Sequence, residues 1–89
     1  MRSVTTERFR KAYQHLPIGI KLKAKVAFSM WKESPRHPGL RFRKIHDQKE
    51  VFSVRIGISW RALGVKKGNT MIWFWIGSHE DYNNLIGNL

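Results

Sequence analysis

From Thr70 to Ile76 the chain reads TMIWFWI, with no charge, glycine or proline. A run this short, made of aromatic and β-branched residues, is a strand and not a helix. Because its apolar residues do not alternate with polar ones, it is expected to lie centrally in a sheet, covered on both faces. Whatever else the chain builds must be arranged around that strand.

Upstream, the period of the apolar residues changes once. From Thr6, Phe9, Ala12, Tyr13 and Leu16 fall at i, i+3, i+4 and i+7, which predicts a helix. Pro17 punctuates it and suits the first turn of the next helix, which runs to about Glu33. There Leu22, Val26 and Met30 form one i+4 set, and Ala24, Ala27, Phe28 and Trp31 another. The two sets make a wide stripe for a core, leaving Lys21, Lys23, Lys25 and Lys32 to solvent. Two prolines and a glycine in SPRHPG, residues 34–39, end the helix. Beyond Gly39 the period is two. A basic edge strand is expected over 41–45, followed by strands over 51–56 and 60–65 joined at Gly57-Ile58-Ser59. A hairpin loop, Lys66-Lys67-Gly68-Asn69, leads into the apolar run. Residues 2–5 form a weak further strand, and 79–89 a short terminal helix capped by Ser78.

This order predicts an α+β domain over residues 1–89. Two N-terminal helices pack on one face of a small, twisted antiparallel sheet, and a short C-terminal helix follows. The other face has no second layer and is the natural place for a site.

The 89 residues carry a net charge of +11, and it is unevenly spread. Residues 1–46 hold twelve Lys and Arg against Glu7 and Glu33; residues 47–89 hold five against four acids. Such a field attracts polyanions. No cysteine is present, which suits a reducing cytoplasm. The N-terminal MRSVTTERFRK lacks the apolar stretch of a signal peptide, and no run approaches the ~18–20 residues of a membrane span. A cytoplasmic protein with no membrane partner is expected.

Four side chains can carry chemistry. Arg55 and Arg61 flank a tight turn, so their guanidiniums reach one anion through bidentate forks. Strand arginines also discourage edge-to-edge pairing. His79 follows the apolar strand and can exchange protons near neutrality; Tyr82 lies one helical turn on. Arg41, Arg43 and Lys44 offer phosphate contacts, with Trp60 and Phe52 as stacking surfaces for bases. Glu50 is the one carboxylate beside the sheet face. His15, His37 and His46 have no metal-site spacing, and neither a metal nor another cofactor is expected.

These segments resemble the RelE/ParE superfamily of bacterial toxins from toxin–antitoxin pairs. FRKAYQHLP (9–17), WKESPRHPGLRFRKI (31–45), VFSVRIGISWRALGV (51–65) and IWFWIGSHEDYNNLI (72–86) carry the likeness. The R-x5-R spacing and the closing G-x-H-x-x-Y are its specific parts. The resemblance implies two helices on a twisted antiparallel sheet. Its RelE-like branch, the favoured one, implies a metal-independent ribonuclease that cuts messenger RNA on the ribosome and is held in check by an antitoxin. Catalytic roles would fall on Arg55, Arg61, His79 and Tyr82, and RNA contacts on Arg41, Arg43, Lys44, Ser53 and Trp60. Ser53 stands where some members carry a lysine. The ParE-like branch implies instead a poison of DNA gyrase, and a third reading is a basic RNA- or antitoxin-binding module without catalysis.

Overall fold

A computed structural model describes residues 1–88. Strand β1 (Arg2–Thr5) opens the chain, followed by helices α1 (Glu7–Gln14) and α2 (Ile18–Glu33). After a 3-10 turn at Pro38–Leu40 come β2 (Arg43–Lys44), β3 (Val51–Ile56), β4 (Trp60–Lys67), β5 (Thr70–Ser78) and α3 (His79–Ile86). The sheet order is β1-β5-β4-β3-β2. Strands β2 to β5 are antiparallel as expected, but β1 joins the outer side of β5 in parallel, so the sheet is mixed. The basic edge strand is shorter than the pattern implied. Arg41 adopts φ 46, a left-handed conformation that leaves only Arg43 and Lys44 paired.

Thr6 caps α1 by accepting the Phe9 N–H at 3.1 Å. Phe9 from α1 and Leu16 just beyond its end, with Ala24, Ala27 and Trp31 from α2, meet Val54, Ile56, Ala62, Met71, Trp73 and Ile76 in the main core. Aromatic edges bind it together: Trp31 and Phe28 each meet Trp73, with ring centroids 5.3 and 5.0 Å apart. One of the two apolar sets of α2 serves this core as a whole; of the other, only Met30 packs against it. Leu22 and Val26, with Ile18, are 59%, 60% and 76% exposed. The alanines of the other set let the helix lie close to the sheet, which turns the leucine–valine row outward.

The apolar run is explained by a bulge. Leu63 pairs with Trp75 and Gly64 with Trp73, leaving Phe74 unpaired between them. The core-facing residues are therefore Met71, Trp73 and Ile76, spaced two and then three apart. Opposite them, Leu63 and Tyr82 are buried but lie outside the main core, and α3 packs on β4 and β5. The second face is thus partly covered by α3, where the sequence pattern had left it bare. Its open remainder lies over β2, β3 and the β3–β4 turn.

Candidate functional site

Antiparallel pairing sets Arg55 directly opposite Arg61. Both sit on the face away from α1 and α2, because Val54, Ile56 and Ala62 beside them point into the main core. Arg43 pairs with Ser53 on the same face. Around them lies a cleft of about 490 Å³, lined by Arg41, Arg43, Ser53, Arg55, Ile58, Ser59, Arg61 and His79. Four guanidiniums and an imidazole thus share one concavity that, among the described residues, no carboxylate lines.

The tight turn between β3 and β4 holds this set in place. Arg55 Nε donates to the Gly57 carbonyl at 3.0 Å, and Arg61 Nη1 donates to the Trp60 carbonyl at 2.8 Å and that of Ile58 at 3.3 Å. The Ser59 carbonyl accepts the His79 N–H at 2.7 Å, fixing the start of α3 to the same turn. Gly57 has φ 63, a conformation that suits glycine, so the turn can be this tight. Each guanidinium has five N–H donors, and most remain available to a ligand.

Burial is the main reason that the Arg61 guanidinium lies below its ordinary pKa; the charge of Arg55 comes next, with Arg41 and Arg43 adding to it and Tyr82 opposing. Arginine still stays charged at any working pH, so the cleft is a fixed cationic site that an anion would relieve.

His79 Nδ1 lies 3.4 Å from Asn83 Nδ2, which donates to it in the tautomer that leaves Nδ1 without a proton. Its ring sits 5.9 Å from that of Tyr82, tilted by 31°. Tyr82 itself is 4% exposed and does not line the cleft, so it supports the imidazole from beneath.

Of the residues expected at the site, Arg41, Arg43, Ser53, Arg55, Arg61 and His79 come together. Lys44 does not: its side chain leaves β2 on the opposite side from Arg43 and pairs with Glu50 at 3.0 Å. That ion pair also occupies the carboxylate considered for the site. Trp60 packs against the main core, and Phe52 stacks on Phe42 with centroids 5.0 Å apart, so neither ring offers the cleft a stacking surface. His37 and His46 use Nδ1 to accept backbone N–H groups of their own turns. Among the described residues, no three His, Asp or Glu side chains gather as metal ligands, and no helix is long and apolar enough to cross a membrane. Ile58, Ser59 and Asn83 were not singled out in the sequence. Only Asn83 carried a usable signal, its i+4 spacing from His79.

The same architecture occurs in solved toxins. The RelB–RelE antitoxin–toxin complex of Methanococcus jannaschii matches with a TM-score of 0.74 at 18% identity, over 92% of this chain and 96% of that one. The YoeB/ParE toxin of Agrobacterium tumefaciens matches at 0.70 and 16% identity, over 89% and 99%. The isolated Escherichia coli RelE toxin matches at 0.69 and 15% identity, over 98% and 96%. At these identities the likeness establishes the fold. No curated protein sequence matches. The model of the ParE-like toxin domain matches residues 8–84, nearly the whole chain, and the protein belongs to that family.

Proposed function

We propose that the protein is the toxin of a toxin–antitoxin pair and that it cleaves messenger RNA on the ribosome. One observation carries this reading: four arginines and one histidine converge on a cleft that no carboxylate among the described residues lines. That is a site for a phosphodiester, with a proton donor beside the charge.

In the proposed reaction the RNA 2′-oxygen attacks the adjacent phosphorus and the bond to the 5′-oxygen breaks. The products are a cyclic phosphate and a free 5′-hydroxyl. Arg61 and Arg55 bind the phosphate and take up the charge that develops on its oxygens; one such donor is worth roughly 10²–10³ in rate. His79 gives its proton to the departing 5′-oxygen, a contribution of roughly 10²–10⁴. Arg41 and Arg43 hold the flanking strand, and Tyr82 keeps the imidazole at its station. Among the described residues no carboxylate or second imidazole lines the cleft to take the proton of the attacking hydroxyl, which passes to water. No cofactor takes part.

The named complexes of RelE with RelB support an antitoxin as the partner. An acidic segment would suit the basic helical half. Messenger RNA and ribosomes place the activity in the cytoplasm. The family's description favours a second reading, the gyrase poisoning of the ParE-like branch, in which the arginine cleft has no part.

Induced expression of wild type and of Arg61→Ala/His79→Ala, with transcript mapping and a gyrase-cleavage assay, decides between them. Cuts within translated messages, lost in the folded double variant, are the expected result. Gyrase-linked DNA breaks that persist in the variant would overturn it.

A further inference from the structure

A second cationic groove, of about 750 Å³, lies on the helix side of the sheet beside β2. Helix α2 ends at Glu33 and leaves this corner of the sheet uncovered. Phe42 and Phe52, stacked at 5.0 Å and 17°, contribute an apolar wall. Arg36, Arg43, Lys44 and Lys66 stand around it, with Glu33 as the one lining carboxylate among the described residues. Arg43 lines this groove and the arginine cleft alike, so the two join across the two-residue strand β2. The Lys44–Glu50 pair at its rim is partly exposed, and a phosphate can displace it.

Cations around an aromatic wall, continuous with a phosphodiester site, match a single nucleic-acid strand: bases seek ring surfaces, and the backbone follows the charge. We propose that this groove is an RNA subsite, holding the nucleotides that run from the cleft over β2. It rests on the reading of the cleft as an RNA site. The ligand is then a single strand several nucleotides long. The alternating placement of Arg43 and Lys44 on β2 acquires a purpose: one holds the strand in the cleft, the other receives it beyond the edge.

The test uses the full chain and 2′-O-methyl oligoribonucleotides of three and eight nucleotides, which lack the attacking hydroxyl. Affinity is read by fluorescence anisotropy across a salt series for wild type, Arg36→Ala/Lys66→Ala and Arg61→Gln, with melting curves as a folding control. The double variant should weaken octamer binding about tenfold or more and leave the trimer unchanged. Its slope of log affinity against log salt should fall by about 1.4, at ~0.7 per lost contact to a single strand. Octamer affinity and slope equal to wild type would overturn the proposal, as would an equal loss for an octaglutamate peptide, which would mark plain charge attraction. Arg61→Gln should weaken both lengths. If it weakens neither while the double variant still loses the octamer, the cleft reading fails and the groove stands as an RNA site of its own.

Discussion

Arg55 and Arg61 face each other across the β3–β4 pair, and both are tied to carbonyls of the turn that joins those strands, Gly57 for Arg55 and Ile58 for Arg61. Like charges placed opposite one another oppose folding, by roughly 0.2–1 kcal/mol on a sheet. The pair is therefore expected to work against stability and for binding. Arg61→Gln should lower the cleavage rate roughly 10²–10³-fold while leaving the melting temperature equal or slightly higher. Rate and melting curve measured on one preparation check this. A variant that cleaves normally would remove Arg61 from the chemistry; one that melts well below wild type would make it a structural residue.

The lowered pKa of Arg61 fixes the sign of the pH dependence. Its charged form is disfavoured by folding, so the cost is fully present below the folded pKa and disappears as pH rises towards the unfolded one. Both lie far above neutrality. The stability gained by Arg61→Gln should accordingly be flat between about pH 5 and 9, and should shrink with added salt, since ions screen the arginine pair. Melting temperatures of both proteins on a pH and salt grid test this, and a gain that varies strongly with pH in that window contradicts it.

Ser78 and His79 link the cap of α3 to the proposed acid. Ser78 Oγ accepts the Asp81 N–H at 3.1 Å, and His79 opens the helix one residue later. Ser78→Ala should cost about 0.5–2 kcal/mol of stability. It should also lower the turnover rate more than it changes substrate affinity, because the imidazole loses its fixed base while the arginines keep theirs. Single-turnover kinetics beside a denaturant titration separate the two effects. An unchanged turnover rate would show that the Ser59 carbonyl alone holds His79.

Much of this was legible before the fold was known. Periodicity located both long helices, the β3–β4 hairpin and the terminal helix, because each has its own apolar spacing and a clear breaker. Arg55 and Arg61 could be paired because a short turn between alternating strands leaves little choice of register. Three things escaped for physical reasons. The bulge at Phe74 shifts the inward positions by one, which in sequence looks like a strand buried on both sides. The two apolar rows of α2 are equally periodic, and only the close approach allowed by Ala24 and Ala27 decides which one faces inward. Trp60 was assigned by residue type, whereas its strand parity, opposite to that of Arg61, carries it into the core.

Gly64 and Trp73 provide the last test, because the bulge that splits the apolar run also brings them face to face. A Cβ added at Gly64 would lie 2.8 Å from Trp73 Cε3 and 2.9 Å from Met71 Sδ, closer than side-chain carbons approach. Trp73 cannot easily give way: it is buried, it meets Trp31 and Phe28 edge to face, and its Nε1 donates to Ser3 Oγ at 3.0 Å. Overpacking of this kind costs typically ~1–3 kcal/mol. Gly64→Ala should therefore lower the melting temperature by at least ~4 °C in a domain of this size. Met71 is the softer neighbour, and a smaller residue there makes room, so Met71→Val and Gly64→Ala should be less than additive in a double-mutant cycle. Additive losses would mean that the new methyl group strains the backbone and not this contact. Gly64 points away from the arginine cleft, so the folded variant should still bind an RNA trimer as wild type does; weakened binding would show that the bulge also sets the position of Arg61, three residues along the same strand.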